Sequence, residues 1–200
     1  SLKSFLMKKI KLSKLEFLKN IRIYHGPINI GGIGGYLSKY QRSKGINSDF
    51  ITYDDFGHRK NNDFNLCLSK CRNKFERILL KLGFCILCLG KYDIFHFYFG
   101  RSLLPLSLDM PILKFFRKKI FMTYCGSDIR LISEEKKRNK YHHLINFGYD
   151  SPKFDFNKII MMSWHSIWCE KILAPRTLRF FAELVVPKKK LIKNLWIHNL

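Results

Sequence analysis

Four glycines fall together at Gly31, Gly32, Gly34 and Gly35, directly after the apolar run from Ile21 to His25. Glycine lacks Cβ, so such a turn reaches positive φ and lets a phosphate or sugar approach the main chain closely. A helix opening there presents unpaired N–H groups and the positive end of its dipole, which together suit an anion. The spacing is not a dinucleotide fingerprint, because Leu37 stands where G-x-G-x-x-G needs its last glycine after Gly32 and Gly34. Nor is it a Walker loop, since no Lys-Ser or Lys-Thr follows. The plainer alternative is that the glycines only allow a helix to pack tightly on a strand.

Other polar residues end apolar runs in the same way. His96 lies inside YDIFHFYF and is followed by Gly100 and Arg101. The histidine reads either as a core residue bonded to backbone or as a contact to a sugar hydroxyl or phosphate. Arg101 offers a forked donor set to a phosphate, or is an ordinary surface arginine. Gly126, Ser127 and Asp128 close a later apolar run, with Arg130 just beyond. Asp128 could accept hydrogen bonds from ligand hydroxyls, while Ser127 and Asp128 are also preferred helix caps. Arg130 in a first helical turn opposes the dipole unless an anion is near.

Other chemistries find little support. His142 and His143 sit in a charged stretch without carboxylate partners and read as surface. No Ser-His-Asp or Cys-His pattern is recognisable, and no paired acids suggest glycoside hydrolysis. Of six cysteines, Cys67 and Cys71 are separated by three residues and Cys85 and Cys88 by two. Cys85 and Cys88 lie in the apolar stretch ILLKLGFCILCLG, where thiols act as small buried hydrophobes. Reduced thiols are therefore expected rather than zinc or disulfides, and no metal or other cofactor is expected.

These residues need elements to position them. The spacing predicts strands over Ile21–His25, Ile46–Tyr53, Tyr92–Phe99, Lys119–Tyr124, Lys171–Ala174 and Leu191–Ile197. Helices are predicted over Gly35–Lys44, closed by Gly45, and over Lys70–Leu89 with a break at Gly83. Further helices are Met110–Arg117 with Pro111 as its first residue, Asp155–Glu170 with Trp164 and Trp168 on one face, and Thr177–Leu184. Glu134–Leu144 is expected at the surface. Phenylalanine, at 18 residues, should dominate the core. Alternation of strands and helices implies an α/β chain with a doubly wound, mostly parallel sheet. Ligands of such sheets sit at the carboxyl ends of the strands, where GPINIGGIGG, GRSLLP and CGSDIR all fall.

The formal net charge is +22 over 200 residues. That excess favours polyanions: nucleic acid, anionic lipid or phosphorylated ligands. Residues 1–20, SLKSFLMKKIKLSKLEFLKN, read as a basic amphipathic segment suited to a lipid surface, or as a solvated tail. No membrane-spanning stretch and no signal peptide are recognisable. The lysines are spread through the chain and match no nucleic-acid motif, so a basic nucleic-acid-binding module is the lesser alternative.

Taken together, the segments resemble the amino-terminal half of a GT-B glycosyltransferase, in the retaining family called glycosyl transferase group 1. GPINIGGIGGYLSKYQRSKGINSDFITY resembles that family's first strand, glycine turn, helix and second strand. KYDIFHFYFGRSLLP resembles its strand with a His-aromatic run, and MPILKFFRKKIFMTYCGSDIRL its approach to an HGSD-R loop. LIKNLWIHNL resembles the last strand and the start of the interdomain linker.

The resemblance implies a Rossmann-like acceptor-side domain over residues 21–190 and a linker from 191. It implies a nucleotide-sugar donor and a lipid-linked or cell-surface glycan acceptor, at the cytoplasmic face of a membrane. It also implies metal-free transfer, with Gly31, Gly32, Gly34, Gly35, His96, Arg101, Gly126, Ser127, Asp128 and Arg130 around donor diphosphate and acceptor. Cys125 stands where the family commonly has histidine. No counterpart of the family's donor domain is recognisable, so the chain alone is expected to be inactive, with a separate donor-domain polypeptide as one partner. A non-catalytic partner subunit or remnant is the remaining alternative.

Overall fold

The computed structural model describes residues 20–54, 61–125, 152–174 and 195–197. The expected segments over 1–19, Glu134–Leu144 and Thr177–Leu184 lie outside them, as do Gly126, Ser127, Asp128 and Arg130. The described strands are β1 (Arg22–Gly26), β2 (Asn47–Thr52), β3 (Phe64–Asn65), β4 (Ile94–Tyr98), β5 (Lys119–Thr123), β6 (Lys171–Ala174) and β7 (Leu195–Ile197). The described helices are α1 (Ile33–Ser43), α2 (Lys74–Lys91), α3 (Asp109–Phe115) and α4 (Pro152–Trp168). The strand order is β3-β2-β1-β4-β5-β6-β7, and the chain is an α/β, Rossmann-like fold with a parallel sheet. The chain divides into two compact units, residues 1–96 and 97–200.

In the first unit β1 pairs with β2 in parallel, Tyr24 beside Asp49, and β2 pairs with β3, Ile51 beside Phe64. β1 is buried along nearly its whole length, as a strand covered on both faces must be. β2 alternates instead, with Ser48, Phe50 and Thr52 turned inward. β3 is absent from the sequence-based expectation, because it is two residues long and carries no pattern of its own.

α1 closes on a Schellman motif. Gly45, at φ +76°, donates its N–H to Arg42 O at 2.9 Å, and Ile46 N donates to Gln41 O at 3.0 Å. The Arg42 guanidinium meets both carboxylate oxygens of Asp63 at 2.7 and 2.8 Å, and Asp63 also accepts the Phe50 N–H. One carboxylate thus fixes the end of α1 against β2.

α2 runs unbroken through Gly83, against the expected break, because a single glycine weakens a helix without ending it. Asn73 caps it through the Glu76 N–H at 2.7 Å. Cys85 and Cys88 are buried on its inner side, as expected. Phe84 packs edge-on against Tyr24 at 5.9 Å and Tyr53 at 6.3 Å between centroids. Tyrosine shares the core with phenylalanine: Tyr24 and Tyr92 are as buried as Phe50 and Phe95. They are tolerated because Tyr24 Oη donates to Ile51 O and Tyr92 Oη to Asp49.

In the second unit β5 pairs with β6 and β6 with β7, again in parallel. Phe97, Leu103, Met110, Leu113, Ile120 and Met122 form its core. α3 starts two residues ahead of Pro111, so the proline is the third helical residue rather than the first. Its missing N–H still costs nothing there, because first-turn amides have no intrahelical partner. Trp164 and Trp168 share one face of α4, their rings 5.5 Å apart.

Candidate functional site

The glycine turn is the connection from β1 to α1, and its four glycines divide into two pairs. Gly31 and Gly32 stand before the helix with φ of +57° and +80°, a left-handed conformation that favours glycine. Gly34 and Gly35 lie inside the first helical turn, because α1 begins at Ile33, two residues before the expected start at Gly35. Their role is close approach. A Cβ on Gly34 would sit 2.6 Å from the Phe50 ring, and one on Gly35 would sit 2.4 Å from Asn61 Cγ. Tight packing therefore accounts for the missing side chains of Gly34 and Gly35, whose amides still belong to the first helical turn. It does not account for Gly31, which is exposed and whose added Cβ meets nothing within 4 Å.

Two asparagines hold this turn. Asn29 Oδ1 accepts the Gly32 N–H at 3.0 Å, and Asn61 Nδ2 donates to Gly32 O at 2.7 Å. Asn29 Nδ2 donates to Asn61 Oδ1 at 3.3 Å, which joins them. Ile33 N donates to Ile30 O at 3.1 Å. Among the described residues no side-chain cap closes the start of the helix, and no acidic residue stands in its first turn. α2 is the opposite case, with Asn73 as cap and Glu76 in its first turn. Among the described residues, the start of α1 thus keeps its positive end without a capping side chain or first-turn acid, beside open space over Gly31.

His96 lies beside His25 of β1, ring centroids 5.1 Å apart. His25 Nε2 is 2.8 Å from Gln41 Oε1, an oxygen that also accepts from Ser48 Oγ at 2.7 Å. An amide oxygen only accepts, so His25 carries its proton on Nε2. Burial lowers His25 to about 4, and burial with the neighbouring His25 lowers His96 to about 3, so both rings are neutral at pH 7. A neutral pair suits hydrogen bonding to hydroxyls and gives a phosphate no charge to meet.

In the second unit Arg101 is exposed, its N–H bonded to Tyr98 O at 3.1 Å just after Phe99 and Gly100 at positive φ. The following residues are fixed by Asp109, which is buried. It accepts from Ser102 Oγ at 2.5 Å and from the Leu103 and Leu104 amides, each at 3.1 Å. A Ser-His contact unseen in the sequence also lies here. Ser107, at φ +57°, places Oγ 2.8 Å from His165 Nε2, and Tyr124 Oη is 2.6 Å from His165 Nδ1. All three are buried and a phenol stands where a triad needs a carboxylate, so the arrangement ties the loop and β5 to α4. No linear motif could have found it, since its members are separated by up to 58 residues.

The structure thus gathers Gly31, Gly32, Gly34 and Gly35 with Asn29 and Asn61, and separately His96 with His25. Asn29 lies within the segment already singled out; Asn61 is one of several asparagines in a polar loop and carries no signal. Among the described residues no group of three or more His, Cys, Asp or Glu side chains could hold a metal. No protein-family model matches this chain, and no curated protein matches it.

Proposed function

We propose that this chain is the acceptor-side domain of a retaining GT-B glycosyltransferase, which transfers a sugar from a nucleotide-sugar donor to a lipid-linked or cell-surface glycan at the cytoplasmic face of a membrane. The observation that carries the reading is the start of α1. Among the described residues it has no side-chain cap or first-turn acid, and it opens beside Gly31, where an added Cβ would meet nothing within 4 Å. Such a site receives a diphosphate through backbone amides and the helix dipole. The parallel Rossmann-like fold and the order of the four resembling segments are in keeping with it. Gly31, Gly32, Gly34 and Gly35 would face the donor diphosphate, with Asn29 and Asn61 as positioning residues. The neutral His96 would serve sugar hydroxyls. Arg101, Gly126, Ser127, Asp128 and Arg130 are the remaining candidate binding groups.

The test is calorimetric titration with UDP-, GDP- and ADP-sugars, and with pyrophosphate, of the parent chain and of Gly31→Asn. Asparagine tolerates left-handed φ, so the variant keeps the turn while placing a side chain in the open space. Binding by the parent that the variant weakens about tenfold supports the reading. Equal affinity in both, or none in the parent, contradicts it.

A further inference from the structure

Residues 70–81 run from a short 3-10 turn into the first half of α2, and carry Lys70, Arg72, Lys74, Arg77 and Lys81 against the single acid Glu76. Lys74, Arg77 and Lys81 recur at i, i+3 and i+7, so they form one row on the helix. Continued along α2, the row meets the buried Cys85 and Cys88, so it lies on the side turned towards the sheet. Lys81 Nζ sits 4.9 Å from the ring centroid of Tyr53, just past β2, while Lys91 pairs with Asp49 inside that strand. The helix therefore runs antiparallel to β2, and Arg77 and Lys74 extend beyond the strand's carboxyl end, where both are exposed. The nearby acids do not balance the row. Glu76 Oε2 accepts the Arg72 N–H at 2.8 Å, and Asp54 Oδ1 accepts the Ser69 N–H at 2.7 Å. Among the described residues none of Lys70, Arg72, Lys74 and Arg77 forms an ion pair. The glycine turn lies on the same edge of the sheet: the Tyr53 N–H donates to Pro27 O at 2.9 Å, and Pro27 opens the segment leading to Gly31. The carboxyl edge is where such sheets take ligands.

We propose that this basic row binds an acidic glycan, so that the acceptor carries carboxylate or phosphate groups along its chain. The charge of the partner follows from the row, and its sugar nature rests on the function proposed above. From Lys74 to Lys81 the row is about 10 Å long, which suits successive anionic groups of an extended polymer better than one small anion. Arg72 and Arg77 add forked donors that match carboxylate and phosphate oxygens. Nucleic acid is disfavoured because single strands need aromatic faces on which bases stack. The ring nearest the row, Tyr53, carries the Lys81 ammonium on one face and meets Phe84 at 6.3 Å in an edge-on contact. A lipid surface is disfavoured because the exposed apolar Phe75, Leu79 and Ile86 lie on another side of the helix, away from the row, so a bilayer that took them would leave Lys74 and Arg77 behind.

The test uses no nucleotide sugar, so the two readings fail separately. A chain that holds acidic glycan on this row but binds no nucleotide sugar keeps the acidic-glycan site and loses the transfer reaction. Nucleotide-sugar binding without acidic-glycan binding does the opposite.

The experiment is calorimetric titration of the full chain with polygalacturonate, phosphomannan and neutral mannan at physiological salt. The parent is compared with Lys74→Gln combined with Arg77→Gln, and with Lys39→Gln combined with Lys44→Gln on α1. Each variant removes two positive charges at exposed positions, so circular dichroism should be unchanged and overall charge is matched. The parent is expected to bind one or both acidic polymers, less in high salt, and not the neutral one. The α2 variant should bind about tenfold more weakly, and the α1 variant should stay close to the parent. Polygalacturonate against phosphomannan tells carboxylate from phosphate. No binding of either acidic polymer, equal binding of neutral mannan, or equal losses in the two variants would overturn the proposal. A single-stranded oligonucleotide or phosphatidylglycerol vesicles that bind more tightly than both polymers, and are lost only in the α2 variant, would overturn it equally by giving the row another occupant.

Discussion

Asn61 donates its side-chain N–H to the carbonyl of Gly32 at 2.7 Å, across 29 residues of sequence, and so holds the residue that opens α1 in its left-handed conformation. The contact requires Gly35 to be glycine, since the asparagine occupies the space a Cβ would take. Turn and loop are therefore one unit. Gly35→Ala is expected to destabilise the protein by about 1–3 kcal/mol through overpacking. Asn61→Ala should cost about 1–2 kcal/mol by leaving Asn29 and Gly32 short of partners. Urea denaturation measures both. Because the residues touch, the double variant should cost less than the sum of the two.

The opposite sign is expected at Gly83. It lies in mid-helix in α2, where an added Cβ meets nothing within 4 Å. Gly83→Ala should raise stability by about 0.5–1 kcal/mol, seen as a higher urea midpoint with unchanged slope.

Acid should destabilise the protein through the buried His25 and His165 and the half-buried His96. Burial lowers His25 to about 4, His96 to about 3 and His165 to about 4, each from 6.5. In that window the unfolded chain binds protons that the native chain refuses, so stability rises with pH. The full contribution is present above pH 6.5 and is lost as pH falls towards the folded values. Each histidine adds up to about 1.4 kcal/mol per pH unit to the slope. Urea midpoints between about pH 7 and pH 5 test the direction, and a flat profile would show that the rings are not buried neutral.

Tyr124→Phe keeps the ring and removes the hydroxyl beside His165 Nδ1. It should cost about 1–3 kcal/mol, because a buried ring nitrogen loses its partner. Thermal melting compares it with Ser107→Ala, which removes the bond on the other nitrogen.

Much of the fold was legible because its signals are local. Gly45 marked the end of α1, and the strand expected over Ile46–Tyr53 is found as Asn47–Thr52. What was not legible depends on partners distant in sequence. β3 is too short for a period and exists by pairing with Ile51 and Thr52. Asn61 looked like any loop asparagine until the fold set it against Gly32. The helix was expected to start at Gly35 rather than Ile33, because four clustered glycines cannot show where the first helical hydrogen bond falls, and only the contacts with Phe50 and Asn61 separate the two pairs. Similarly, Ser107, Tyr124 and His165 meet only after the strand and helix that carry them are in place.

Whether the first turn of α1 receives a diphosphate is decided by amide-resolved NMR titration of the isotopically labelled chain with a nucleotide sugar and with pyrophosphate. Saturable shifts concentrated at Gly31, Gly32, Gly34 and Gly35, abolished in Gly31→Asn, are expected. Unmoved glycine amides, or shifts scattered over surface lysines alone, would rule that site out.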